Sequence, residues 1–330
     1  MLAIRRSISQ VNDLLQKLAK VSELWLEARH PLRQETVQAM QISTGLNSRQ
    51  IEMAIQNCFE ELTEHKLTAY TASLNQGQKN PEATVLHILP ANAFTAWVHG
   101  AVISLLLGYR CLLKPSAREP IFSRAWLKSL REIDPTLAKH VDIVSWEEKH
   151  IRQSQVVVAY GSDETLQKIR SELPANLPFA AFGHQLSVGI IFQEALEINA
   201  MEALLERARL DVDPFRLQGC LSPQILYVQD PRFTRWPELE AAVDVAPKIR
   251  PFTEWEDVLR ELKKFTPYLS CVGYAGSEER KDFLEQELDS VKVSRFCPLG
   301  EMQRPPLSWR NGGIFLPDLL HYPTTEGGNR

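Results

Sequence analysis

The chain has 330 residues, 44% apolar and 24% charged, and a net charge of −4. That is the makeup of an ordinary soluble protein, long enough for a large core and two domains. It excludes the basic field that nucleic acid binding requires, and the chain shows no repeat or low-complexity stretch.

Residues 1–75 read as helices. Leu14, Leu15, Leu18, Val21 and Leu24 recur at helical spacing, and residues 43–64 repeat the pattern. The N-terminus turns polar after Met1-Leu2-Ala3-Ile4-Arg5-Arg6, without the apolar core of a signal peptide, so a reducing cytoplasm is expected. Residues 75–81 form a polar break. Residues 83–109 then carry no Asp, Glu, Lys or Arg, which resembles a membrane span. Pro90, Asn92, His87 and His99 interrupt it. The better reading is a strand at 85–89, a Pro-Asn turn, a buried helix at 96–107, Gly108 as its C-cap and a strand into Lys114. No membrane span is expected.

Apolar runs at 111–113, 141–144, 156–160 and 188–192 read as further buried strands, with helical patterns at 123–132 and 163–172 between them. This alternation predicts a parallel α/β sheet. A second unit is expected from helix 200–210 through strand 225–228, helix 254–264, strand 269–273, helix 277–288 and strand 291–296. The Pro- and Gly-rich end wraps back over the body. The expected domains are thus 1–200, 201–305 and a packed tail at 306–330.

Five cysteines stand at 58, 111, 220, 271 and 297. The count is odd, the spacings are wide and no Cys-x-x-Cys pair occurs, so neither a disulfide framework nor a metal site is expected. Cys220 lies in Gln218-Gly219-Cys220-Leu221-Ser222-Pro223-Gln224, a loop feeding a strand. A nucleophilic sulfur needs room for its target. Gly219 removes bulk beside it and Pro223 stiffens the exit. Cys58 and Cys111 fall in apolar segments and read as fillers, and Cys271 lies mid-strand. Cys297, before a proline, is the rival nucleophile.

Lys114 ends an apolar strand ahead of Pro115-Ser116. Ligands of α/β sheets bind beyond the carboxyl ends of the strands. Lys114 and Ser116 therefore suit ribose hydroxyls or a phosphate, although a solvated strand-end lysine fits as well. Gly161-Ser162 leads from a strand into a helix whose first amides suit a pyrophosphate. Asp163 and Glu164 oppose that, and Ser162 also reads as an N-cap. The Asn92 amide suits an oxyanion or simply a turn. His184, in Phe182-Gly183-His184-Gln185, suits acid–base work, a phosphate contact or a plain loop. His87 and His99 read as core histidines.

In order and approximate spacing, Asn92 after its proline, Lys114-Pro115-Ser116, Gly161-Ser162, Phe182-Gly183 and Cys220 resemble the aldehyde dehydrogenase superfamily over about residues 80–320. The Cys220 segment and Trp309-Arg310-Asn311-Gly312-Gly313 look most like the acyl-CoA reductases of bacterial bioluminescence operons, which supply long-chain aldehyde to luciferase. The resemblance implies an α/β, aldehyde dehydrogenase-like fold. Two parallel-sheet domains are expected, a Rossmann-like cofactor domain and a catalytic domain, behind a helical N-terminal region. It implies that Cys220 takes an acyl group from an acyl-CoA or acyl-protein thioester, that Asn92 and the Cys220 amide hold the oxyanion, and that hydride from a nicotinamide nucleotide releases aldehyde. Glu301, 81 positions beyond Cys220 (301 − 220), falls where the superfamily carries a glutamate on the nicotinamide ribose. Ala117 stands where NAD-preferring relatives commonly carry a glutamate, which implies NADPH (NADP) as the cofactor. Ala181 stands where aldehyde-oxidising members carry a water-activating glutamate, which implies that reduction outruns oxidation. An acyl-protein ligase and a homo-oligomer are the partners implied. Two other readings stay open: an oxidative dehydrogenase with His184 as base, and an inactive member that serves as a binding partner.

Overall fold

The computed structural model describes residues 8–74, 83–197 and 200–320. The N-terminal segment read against a signal peptide, the polar break at 75–81 and the chain beyond 320 lie outside the described residues. Among the described residues, those within 1–36, 58–183 and 314–330 form one compact unit, and those within 37–57 and 184–313 form another.

Helices α1 (Ile8–Leu26), α2 (Pro31–Thr44), α3 (Ser48–Phe59) and α4 (Glu64–Ser73) open the chain. Val11, Leu14, Leu15, Leu18, Val21 and Trp25 of α1 are buried, the single stripe that a 3.6-residue period puts on one face. Strand β1 (Thr84–Ile88), helix α5 (Val98–Leu106), β2 (Arg110–Lys114), α6 (Ile121–Ile133), α7 (Pro135–Ala138), β3 (Val141–Ile143), α8 (Glu148–Arg152), β4 (Val156–Tyr160), α9 (Asp163–Glu172) and β5 (Phe179–Phe182) follow. The five strands form one parallel sheet in the order β3-β2-β1-β4-β5. Helices cover both faces of such a sheet, so β1 is buried at all five positions, Thr84 and His87 included. The aromatic side chains of Trp25, Phe59, Phe94, Trp97, Phe122 and Trp126 pack together under α1, α5 and α6. The Trp25 indole donates to Ser129 Oγ at 3.0 Å.

The second unit is built on β6 (Leu186–Ile191), α10 (Met201–Val212), β7 (Pro223–Val228), α11 (Pro237–Ala242), β8 (Lys248–Pro251), α12 (Trp255–Lys264), β9 (Leu269–Ala275), α13 (Glu278–Asp289) and β10 (Arg295–Pro298). Its strands are parallel in the order β10-β9-β6-β7-β8. Helix α14 (Leu316–Leu320) returns to the first unit, where it packs on α5 and the Tyr109 hydroxyl donates to the Leu320 carbonyl. Among the described residues, no helix is long and apolar enough to cross a membrane.

Four strands differ from the sequence reading. The run at 188–192, assigned with the first 200 residues, is the central strand of the second sheet, because a fully apolar strand carries no mark of which sheet it joins. Strands β5 and β8 had no sequence signal. The first is four residues long, and the second, Lys-Ile-Arg-Pro, is a polar edge strand. The strand expected at 291–296 begins at Arg295. Val291 is fully buried in the turn after α13, where Lys292 takes φ 53°, so its apolarity reports packing and not pairing.

Candidate active site

The first sheet gathers the nucleotide candidates along its carboxyl edge. The chain runs outward from β1 to β2 and β3, then crosses back to β4 and β5. The carboxyl ends of β1 and β4 therefore flank the point where strand order reverses, which is where open α/β sheets bind ligands. Asn92 lies exposed in the loop after β1. Lys114 is the last residue of β2, and Gly161 and Ser162 follow β4. The Ser162 hydroxyl caps α9, accepting from the Thr165 amide at 3.3 Å, so the N-cap reading of Ser162 holds. A Cβ on Gly183 would lie 2.4 Å from Asp163 Oδ1, so that carboxylate rests against the end of β5. In the loop after β2, Ser116 Oγ accepts from the Arg118 amide at 3.2 Å, and Ala117 and Arg118 are exposed. Glu119 is buried, and its carboxylate accepts from the amides of Ile121 and Phe122 at 2.8 and 2.9 Å. The loop's one carboxylate is thereby spent on capping α6.

In the second unit, Cys220 and His184 share the opposite, amino edge of the sheet. The register pairs Ser187 of β6 with Pro223 of β7, and each candidate lies three positions before its paired residue. His184 is exposed. Of the five cysteines, Cys58, Cys111, Cys271 and Cys297 are buried, and Cys220 alone is half-buried. Cys297, the rival nucleophile, lies inside the core with its sulfur 3.7 Å from that of Cys271.

The Cys220 loop is unusual in its backbone. Phe215, Arg216 and Leu217 have φ of 60°, 51° and 59°, three successive side-chain-bearing residues in the left-handed region. Each such residue costs about 1–2 kcal/mol, so the surroundings must hold them. Arg216 pairs with Asp244 at 3.7 Å. The Leu217 carbonyl accepts from Gln224 Nε2 at 2.6 Å. A Cβ on Gly219 would press on Phe215 at 3.3 Å. The Cys220 carbonyl accepts from Ser187 Oγ at 2.6 Å, and the same hydroxyl accepts from the Cys271 amide at 3.1 Å. Ser222 Oγ accepts from Gln303 Nε2 at 3.0 Å. The Cys220 peptide is tethered on both sides, and the residue as a whole is half-buried against the core. Burial pushes its thiol up to about 11, and a hydrogen bond from its own amide offsets this only in part. The resting sulfur is thus a thiol, and attack on a carbonyl requires its proton to be removed.

Glu301 follows β10 with its side chain exposed. The loop at 309–313 passes beside β6: Gly312, at φ 55°, brings its backbone so close to Gln185 that a Cβ would lie 2.5 Å from Nε2. Sequence reading missed Ser187, Asp211, Gln224, Arg295 and Gln303, which position the two loops. Asp211 alone left a signal. It falls on the buried face of α10 with Leu204 and Ala208, and a carboxylate on an apolar stripe needs partners.

Solved structures with this architecture are aldehyde dehydrogenases and related oxidoreductases. An oxidoreductase from Marinobacter aquaeolei superposes with a TM-score of 0.68 at 12% identity, covering 91% of this chain and 80% of that one. Betaine aldehyde dehydrogenase from Staphylococcus aureus gives 0.63 at 12%, covering 87% and 75%. The fold is therefore aldehyde dehydrogenase-like. Within that class, the sequence model of the acyl-CoA reductase (LuxC) family matches residues 4–246, and the chain belongs to that family. Two curated relatives are both named long-chain acyl-protein thioester reductase. That of Aliivibrio fischeri is 26% identical over 214 residues, 61% of this chain and 43% of the relative. That of Photorhabdus luminescens is 25% identical over 157 residues, 44% and 32%. The matches thus span less than half the length of those relatives.

Proposed function

We propose that the protein reduces a long-chain acyl thioester to the aldehyde with NADPH, through an acyl-enzyme on Cys220. The observation that carries this is the Cys220 loop: the one cysteine that is not fully buried, on a strained and tethered backbone, in a member of a reductase family. Cys220 loses its proton, attacks the thioester carbonyl and expels the donor thiol. His184, on the same sheet edge, is the candidate to move that proton. The Cys220 amide and Asn92 are the oxyanion donors. NADPH, when bound, supplies the hydride that converts the acyl-enzyme to aldehyde and restores the thiol. The balance is thioester plus NADPH plus a proton giving aldehyde, thiol and NADP⁺.

The loop after β2 fits a 2′-phosphate. Ala117 leaves space, Arg118 is exposed beside it, and the Glu119 carboxylate is turned into the α6 cap. Lys114, Ser116, Gly161 and Ser162 are the other nucleotide contacts in this reading, with Glu301 on the nicotinamide ribose. Acyl-protein is a donor beside acyl-CoA, as the relatives' names suggest, delivered by a ligase to a homo-oligomer in the cytoplasm.

Incubation with radiolabelled palmitoyl-CoA in the absence of nucleotide, followed by acid quench and peptide mapping, tests the reading. Label is expected on Cys220, absent in Cys220→Ser and retained in Cys297→Ser. Acylation of Asn92→Ala is expected to fall by roughly 10²-fold. Label on another residue in the wild type would sink the assignment.

A further inference from the structure

Glu301 has an exposed side chain on a backbone with almost no freedom. The Asp211 carboxylate, fully buried on α10, accepts from the amide on each side of Glu301: Oδ2 from Gly300 at 2.5 Å and Oδ1 from Met302 at 2.8 Å. From the other side, the Arg295 guanidinium donates to the carbonyls of Glu301 at 2.8 Å, Met302 at 2.6 Å and Arg304 at 3.0 Å. The Glu301 amide itself donates to the Pro298 carbonyl at 3.2 Å. Gly300 takes φ 97°, with Arg207 against the place a Cβ would fill, so this backbone calls for glycine.

A buried carboxylate is costly to keep. Burial pushes Asp211 up to about 7, while the two amides and Arg295 pull it back. An apolar residue on α10 would fill the same space without that cost. The carboxylate does what an apolar residue cannot: two oxygens accept two amides that diverge around one residue, and so fix the direction of that residue's side chain.

We propose that Asp211 and Arg295 are positioning residues that present Glu301 to the nicotinamide ribose, and that they act on nucleotide binding and not on acylation of Cys220. The inference rests on the reading of Glu301 given above. Asparagine at 211 keeps the shape but offers one acceptor for two amides. Lysine at 295 keeps the charge but loses the planar fork that reaches three carbonyls.

The test measures two quantities in Asp211→Asn, Arg295→Lys and Glu301→Gln. One is the NADPH dissociation constant, from quenching of tryptophan fluorescence. The other is the single-turnover rate of Cys220 acylation by palmitoyl-CoA without nucleotide. The expected result is a dissociation constant raised about tenfold or more in all three, with acylation within about twofold of wild type. Acylation lost together with nucleotide affinity in the first two variants would show a merely structural role and overturn the proposal. Unchanged affinity in those two, with affinity lost in Glu301→Gln, would overturn it while sparing the reading of Glu301. Unchanged affinity in Glu301→Gln would overturn both. If Asp211→Asn does not fold, Arg295→Lys decides.

Discussion

At the scale of single residues, reactivity follows from where each side chain ends in the packing. Five cysteines are chemically alike in the sequence, and burial separates them. With burial pushing the Cys220 thiol up to about 11, its thiolate is a small fraction at neutral pH. Alkylation of Cys220 by iodoacetamide in the free enzyme is expected to rise about tenfold per pH unit between pH 7 and 10 with no plateau. A plateau reached by pH 8 would show a sulfur already ionised by a neighbour. Ala117 is the second residue with a clear consequence. In the proposed NADPH reading, glutamate there would place a carboxylate beside the 2′-phosphate, and at ~4 Å with an effective dielectric near 20 the repulsion is on the order of 4 kcal/mol. Ala117→Glu is expected to lower the NADPH to NADH ratio of kcat/KM by at least about tenfold, whereas an unmoved ratio puts the ribose elsewhere. Both candidates were raised from the sequence, Cys220 from its Gly-flanked loop and Ala117 from the resemblance. Ser187 and Gln224 were not. Each acts through a hydrogen bond to a carbonyl that only the folded loop turns toward it.

At the scale of elements, β9 and β10 matter most, because the Glu301 loop leaves from one and packs on the other. Gly273 of β9 admits Met302, the residue after Glu301. A Cβ at 273 would lie 2.4 Å from Met302 Sδ and 2.9 Å from its Cγ, and Met302 is fully buried. Gly273→Ala is expected to cost about 1–3 kcal/mol in urea unfolding through overpacking and to weaken NADPH binding by displacing the loop. Wild-type stability together with wild-type affinity would show that Met302 repacks freely. Helices were read well because their apolar stripes are long: α1, α6, α9 and α12 lie where the periodicity put them. Short edge strands were lost for the opposite reason. Four residues such as Lys248–Pro251 hold too few alternations to stand out, and a hydrogen-bonded neighbour is what makes them a strand.

Across the molecule, two buried ionisable groups set opposing dependences of stability on pH. His87, fully buried on β1, is pushed down to about 3 by burial. Its folded value lies below its unfolded value near 6.5, so folding favours the neutral ring, and that stability is lost as pH falls from about 6.5 toward 3. Asp211 works in the other direction. Its folded value, about 7, lies above the unfolded value near 4, so its cost grows as pH rises between the two. His87→Gln is expected to lose less stability than wild type between pH 6.5 and 4, by a few kcal/mol at the acid end, in urea unfolding at fixed ionic strength. A wild type and variant that differ by a constant amount across that range would show that His87 titrates alike in the folded and unfolded states.

Sequence by itself indicated the class of the protein: alternating apolar strands and helices gave parallel α/β sheets, and the motif order that ends in Cys220, with Ala181 where relatives carry a carboxylate, gave the resemblance. These are local properties, set by side-chain period, turn chemistry and residue type, and they survive without knowledge of what each segment touches. Tertiary structure decided the rest. It gave β6 to the second sheet, left Cys220 the one cysteine not fully buried, bent Phe215–Leu217 into the left-handed region and brought Asp211 and Arg295 around Glu301, 90 and six positions away (301 − 211 and 301 − 295). Those outcomes depend on which distant groups meet. A hydrogen bond or a buried surface is a property of the pair, and neither partner carries it alone.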